Sequence, residues 1–140
     1  MRSTRLYDKF KVVLAVIPNV GAAGAMTPVE VAAAGYNRAM FIFQTGAATA
    51  TGKLDAKIQK SATSGGALSD VTSAALTQVP DTGGSKVYVI DCVIDKDKPF
   101  MKVTGSTSTA AIANACACIL YRGTNFPVDP AYATQLVDAG

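Results

Sequence analysis

The segment from Lys53 to Lys60 alternates between polar and apolar side chains from Lys53 through Gln59. Leu54, Ala56 and Ile58 fall on one side of an extended chain, and the side chains between them, three of them charged and one an amide, fall on the other. A period of two is typical of a β-strand that buries one face and exposes the other to water. The segment therefore predicts a sheet that packs one face against a second layer.

The same period recurs ahead of this segment. From Tyr36 to Thr45, Phe41 and Phe43 alternate with other apolar residues, which predicts another strand. Gly46 to Gly52 contains only Gly, Ala and Thr. Because small residues suit a tight connection, we expect this segment to join the two strands as a hairpin.

Lys86 to Asp95 is strongly β-prone. Its valines fall on one face and its tyrosine and isoleucines on the other, so both faces are apolar and we expect a central strand. Pro99 ends the break that follows, and Phe100 to Thr104 resumes the strand pattern. We therefore predict a second hairpin from Lys86 to Thr104.

Thr109 to Tyr121 is compatible with two structures. Its many alanines favour a helix, whereas the alternation of small with larger apolar residues permits a strand. We interpret it as a strand because the segments around it are β. Further strands are predicted at Lys9–Ile17, Thr27–Ala32 and Ala74–Val79.

These elements predict an all-β fold, a single antiparallel β-sandwich of about seven or eight short strands with jelly-roll or immunoglobulin-like connections. We expect one domain over residues 1–140, with the sandwich at 11–121. Residues 1–10 and 122–140 are expected to form extended N- and C-terminal arms, since the latter carries Pro127 and Pro130 and little strand pattern.

The composition favours a surface that is covered by partner subunits. Charged residues make up 16% of the chain, against about 25% in a typical soluble domain. The net charge of +3 is partly concentrated at the start, and the charges beyond it are mixed, so nucleic-acid binding is not expected. No stretch approaches the roughly 20 apolar residues of a membrane span. Three cysteines in this pattern predict free, buried thiols.

The side chains needed for common catalysis are missing. The chain has no histidine, which removes the usual catalytic triads and histidine-ligated zinc. Asp91, Asp95 and Asp97 could supply oxygen ligands to a cation, but Lys96 and Lys98 lie between and beyond them, so a charged turn is the preferred interpretation. We expect no enzyme activity, catalytic residue, cofactor, metal or small-molecule substrate.

The order of several short segments adds a resemblance to a known group of proteins. The segments are Lys11-Val12-Val13-Leu14, Gly35-Tyr36, Ala39-Met40-Phe41-Ile42-Phe43, Lys57-Ile58-Gln59, Asp70-Val71-Thr72, Tyr88-Val89-Ile90-Asp91, Lys98-Pro99-Phe100-Met101-Lys102-Val103, Leu120-Tyr121-Arg122-Gly123 and Phe126-Pro127-Val128. In this order they resemble small β-rich structural proteins of tailed bacteriophage and prophage heads.

The resemblance implies a virion structural protein, a capsid decoration or cement protein that binds the outside of the shell and ties neighbouring subunits together. The implied partners are the major capsid protein and further copies of this chain, in a particle assembled in the host cytoplasm. We expect the arms to supply the interface. The residues predicted for it are Arg2, Arg5, Tyr7, Phe10, Phe126 and Tyr132.

Two other functions are compatible with the predicted fold. A protein of the tail or the head–tail connector could use the same kind of sandwich. A carbohydrate-binding module is disfavoured because the chain has no tryptophan for stacking on sugar rings.

Overall fold

The computed structural model describes residues 9–123, which form ten β-strands and a short 3-10 helix at Asp81–Gly83. The strands are β1 (Phe10–Asn19), β2 (Gly24–Ala25), β3 (Val31–Ala32), β4 (Tyr36–Ala48), β5 (Lys53–Ser61), β6 (Ser69–Ala75), β7 (Val79–Pro80), β8 (Val87–Val93), β9 (Phe100–Ser108) and β10 (Ile112–Gly123). Residues 9–123 contain no helix that is long and apolar enough to cross a membrane.

The strands form two antiparallel sheets packed face to face, so the predicted all-β sandwich is confirmed. Sheet 1 has the order β1-β10-β4-β8. Sheet 2 has the order β2-β9-β5-β6, with β3 also paired to β9 and β7 also paired to β5. Because β2 and β3 share one flank of β9, and β6 and β7 share one flank of β5, each sheet has four strand positions. With the chain crossing between sheets at almost every connection, this is the topology of a jelly roll.

The core lies between the two sheets. Leu54, Ile58 and Val103 of sheet 2 meet Phe41 and Phe43 of sheet 1, and all five side chains are almost completely buried. The alternation in Lys53–Lys60 therefore predicted both the strand and its buried face correctly. Burial of aromatic and branched side chains on both inner faces accounts for most of the driving force for folding.

The Thr109–Tyr121 segment is a strand, as predicted, and β10 occupies the centre of sheet 1. It pairs with β1 on one side and with β4 on the other. A central position between two long strands explains why the tertiary structure overrides the helical preference of its alanines.

Both predicted hairpins are wrong. β4 belongs to sheet 1 and β5 to sheet 2, so residues 46–52 arch from one sheet to the other. In the same way β8 lies in sheet 1 and β9 in sheet 2, with residues 94–99 crossing between them. Short connections of small or polar residues suit an arch between layers as well as a hairpin, so the sequence identified the strands but not their partners.

The prediction that Lys86–Asp95 forms a central strand is also wrong. β8 is the last strand of sheet 1 and pairs only with β4 within residues 9–123. Its valines are exposed, with Val87 at 60%, Val89 at 51% and Val93 at 65% of full exposure. An apolar second face does not require a central position, because it can belong to an edge strand whose outer face is left uncovered.

Candidate interaction surface

The outer face of sheet 1 is apolar almost throughout. Residues that pair across neighbouring strands point to the same side of a sheet. The strand pairings therefore place the outward side chains of β1, β10, β4 and β8 side by side on one surface. The members of this apolar outer face are Phe10, Val12 and Leu14 of β1; Ala115, Ala117, Ile119 and Tyr121 of β10; Arg38, Met40, Ile42 and Gln44 of β4; and Val87, Val89, Asp91 and Val93 of β8.

The centre of the apolar outer face is lower than its flanks. Ala115 and Ala117 lie in the middle of β10, which has longer side chains on both neighbouring strands, among them Leu14 on β1 and Ile42 on β4. Small side chains between larger ones lower the surface around these two alanines, whereas Ile119 and Tyr121 fill the rest of the strand. Such relief allows a partner to approach the sheet closely.

The only charged side chains of the apolar outer face neutralise each other. The Arg38 guanidinium lies 3.1 Å from the Asp91 carboxylate, and the Tyr121 hydroxyl donates a hydrogen bond of 2.7 Å to the same carboxylate. The Arg38 Nε also donates to the Tyr121 hydroxyl at 3.0 Å. The hydrogen bond to Asp91, with that to Tyr121, raises the pKa of Arg38 above its ordinary value. This group therefore presents no unpaired charge to a partner.

The outer face of sheet 2 has the opposite character. Gln59 and Lys57 of β5 both bind Asp70 of β6, at 2.7 Å and 2.9 Å, and Thr104 of β9 donates to Gln59 at 2.6 Å. Asp55 accepts a hydrogen bond from Gln78. A lattice of charged and hydroxyl side chains is suited to contact with water. The molecule therefore has a polar, hydrated side at sheet 2 and an apolar side at sheet 1.

This asymmetry is informative because a sandwich needs only one buried face in each sheet. Sheet 2 follows that rule, with alternating burial along β5. Sheet 1 is apolar on both faces, which is the pattern of a sheet covered on both sides. A contiguous exposed apolar patch on an otherwise soluble protein indicates a surface that binds another protein.

The residues predicted to form an interface are mostly beyond the described range. Arg2, Arg5, Tyr7, Phe126 and Tyr132 lie outside residues 9–123. Phe10 lies at the start of β1, opposite Tyr121, and is a half-buried member of the apolar outer face. The residue was assigned to an arm, whereas it belongs to the sheet.

The acidic residues considered as cation ligands have separate partners. Asp91 is held by Arg38, and Asp95 accepts a hydrogen bond of 2.9 Å from the Lys60 ammonium and another from the Asp97 backbone. Within residues 9–123 no group of three or more potential metal ligands comes together.

The three cysteines are buried on the inner face of sheet 1 and form no disulfide. Burial raises the pKa of Cys92 to about 11 and that of Cys116 to about 12, and it raises that of Cys118 further. A thiol that resists ionisation is a poor nucleophile. These side chains act as small apolar core residues.

Sequence reasoning missed the apolar outer face, although a signal for it was present. All four strands of sheet 1 carry apolar residues at both odd and even positions, whereas Lys53–Lys60 does not. That pattern was interpreted for Lys86–Asp95 as central burial. Apolar residues at both odd and even positions indicate instead that the outer face of the sheet is apolar as well.

Comparison with protein-family models, with curated proteins and with solved structures finds no match to this chain.

Proposed function

We propose that this protein is a virion structural protein of the capsid-decoration type, which binds the outside of a shell through the apolar outer face of sheet 1. The observation that carries the binding role is that face, with its contiguous apolar residues and its self-neutralised charges. The assignment to a phage particle rests on the resemblance in the order of sequence segments. Jelly rolls also recur among viral capsid domains, which supports the assignment by analogy of fold.

The size of the apolar outer face favours many weak contacts over a single tight one. Four strands about 4.8 Å apart, followed for seven residues that rise about 3.3 Å each, cover roughly 440 Å² in projection. A stable protein–protein interface buries about 800 Å² on each partner. The contact made by one face alone is therefore small, and we expect it to be weak. On a symmetric shell, however, linked copies bind with an avidity well above that of a single contact.

The opposite side of the molecule fits the same role. If sheet 1 lies on a shell, sheet 2 faces solvent, and its lattice of ion pairs and hydrogen bonds is the appropriate surface for that side. The predicted arm contacts remain a separate prediction.

The copy number of this chain in purified particles tests the proposal. Particles released from the strain that carries this sequence are analysed by quantitative mass spectrometry against the major shell protein. We expect a copy number comparable to that of the shell protein. A ring-sized number would assign the chain to the tail or the head–tail connector, and its absence from particles would contradict a virion role.

A further inference from the structure

The edge strand β8 is unusually regular. All seven of its residues pair in uninterrupted register with β4, from Val87 opposite Gln44 to Val93 opposite Arg38. It contains no proline, and none of its residues has a positive φ. β6 of sheet 2 passes beside β8 but pairs with β5.

The hydrogen-bonding groups of alternate β8 residues point away from the sheet. The Thr45 N–H donates to the Lys86 carbonyl, and the Ile94 N–H donates to the Asn37 carbonyl, so the even-numbered residues here bond to β4. In an antiparallel strand the odd-numbered residues then direct both backbone groups to the free edge. Those residues are Val87, Val89, Asp91 and Val93, whose side chains are also exposed.

Within residues 9–123 the other edges, apart from Phe10–Leu14 of β1, carry protection against pairing that β8 lacks. The second half of β1 has two register shifts and is covered by hydrogen bonds to residues 27–29. β2 and β3 have two residues each. β6 contains Ser73 with a φ of +59°, and β7 ends in Pro80. Bulges, short strands, prolines and charged side chains are the devices by which proteins block an edge. The one charged residue of β8, Asp91, is paired with Arg38 of its own sheet, so β8 remains a regular edge that can template another strand.

We propose that β8 pairs with β8 of a second copy of this chain, antiparallel and about a two-fold axis at Ile90. In that register Val87 lies opposite Val93 of the partner subunit, and Val89 lies opposite Asp91 of the partner subunit. The outward backbone groups of odd-numbered residues then face each other across the axis, which a ladder requires. No like charges lie directly opposite, because each Asp91 faces a valine and is already neutralised by its own Arg38.

The pairing joins two copies of sheet 1 into one eight-stranded sheet. The combined apolar outer face then covers roughly 880 Å² in projection by the same strand spacing. The dimer therefore offers a partner twice the face that a single copy offers. The pairing itself does not depend on the proposed function, but its use in binding a shell does.

A proline at Val89 tests the pairing with little effect on the sheet. The Val89 N–H points to the free edge, so Val89→Pro removes an intermolecular donor while leaving the β4 ladder its bonds. Val89→Thr is the matched control, because it keeps the N–H and a β-branched side chain. Sedimentation equilibrium gives the dimer dissociation constant of each, and circular dichroism checks that each is folded.

We expect the wild type and Val89→Thr to dimerise, and Val89→Pro to raise the dissociation constant by about tenfold or more, since a two-fold interface loses both copies of the hydrogen bond. Should Val89→Pro fail to fold, Val89→Glu places a carboxylate directly opposite Asp91 of the partner subunit instead and is expected to weaken the dimer. A monomeric wild type, or a Val89→Pro dimer as tight as wild type, would overturn the proposal. These measurements use the isolated protein. A failure of dimerisation is therefore distinguishable from a failure of particle binding, since either result can occur without the other.

Discussion

Two leucines of this chain show how differently the sheets use the same side chain. Leu54 is completely buried between the sheets, whereas Leu14 is 48% exposed on the apolar outer face. Truncation of a buried leucine leaves a cavity and typically costs about 2–5 kcal/mol, while surface substitutions usually change stability by about 0.5 kcal/mol or less.

We therefore expect Leu54→Ala to lower the free energy of unfolding by about 2–5 kcal/mol and Leu14→Ala to change it by less than about 1 kcal/mol. Urea denaturation of the two variants measures both values, given an unchanged dependence on denaturant. Equal losses would mean that Leu14 is buried in the free protein.

Asp95 gives the stability of the protein a predicted dependence on pH. The hydrogen bond from Lys60, with that from the Asp97 backbone, holds the pKa of Asp95 below its ordinary value of 3.8. A carboxyl with a lowered pKa stabilises the folded state above its ordinary pKa, and that contribution is lost as the pH falls through the lower, folded-state value.

We expect Asp95→Asn to be less stable than wild type at pH 7 and to lose less of its stability between pH 5 and the acid limit of folding. Urea midpoints at a series of pH values measure this. Asp97→Asn is the control, since the Asp97 carboxylate makes no hydrogen bond or ion pair within residues 9–123. An Asp95→Asn profile parallel to that of wild type would show that Lys60 does not lower the pKa.

At the scale of the strands, Gly105 marks a close approach of two backbones within sheet 2. It lies in β9 opposite Ala56 of β5, and a β-carbon at this position would collide with the Asp55 carbonyl oxygen and lie 3.0 Å from the Ala56 Cα. Backbone atoms of a paired strand cannot move aside without loss of ladder hydrogen bonds.

We expect Gly105→Ala to destabilise the protein by about 1–3 kcal/mol, the usual cost of forcing extra volume into a packed site. Gly21→Ala is the matched control, because a β-carbon there meets no atom within 4 Å. Thermal unfolding of both variants compares them. A neutral Gly105→Ala would indicate that β5 and β9 separate more easily than their pairing suggests.

The strands themselves could be predicted from the sequence because alternation is a local property. The alternation of Leu54, Ala56 and Ile58 with polar residues predicts a buried face, whichever sheet the strand joins. The pairing could not be predicted, because the choice between hairpin and arch at Gly46–Gly52 depends on which sheet each strand joins. Which sheet each strand joins is determined by the packing of the whole core.

The interaction surface was harder to predict than the fold. Among the predicted interface residues, Phe10 is the one that lies within residues 9–123, and it belongs to the apolar outer face although the sequence predicts it for its position near the terminus. The sequence predicts a central strand for Val87 and Val89, because a single strand does not reveal whether its second apolar face is covered. Exposure depends on neighbouring strands, and so becomes visible only in the folded molecule.

At the scale of the whole molecule, the jelly roll separates two surfaces that a single strand cannot distinguish. Sheet 2 presents a hydrated lattice, and sheet 1 presents the apolar outer face beside the β8 edge, which has no paired strand within residues 9–123. A partner bound to the face and a second copy paired at the edge would approach from different directions. The two contacts are therefore geometrically compatible in one assembly.

The central claim is that the apolar outer face makes the contact with the particle, and retention of two variants on particles tests it most directly. Ala117→Glu places a charge in the middle of that face, and Thr104→Glu places the same charge on the exposed outer face of sheet 2. Each purified variant is added to particles stripped of this protein, and the bound fraction is measured after sedimentation, with circular dichroism confirming the fold. We expect Thr104→Glu to bind as wild type does and Ala117→Glu to lose at least about tenfold in affinity, because binding would bury an unpaired charge. Equal binding of a folded Ala117→Glu variant would contradict the account.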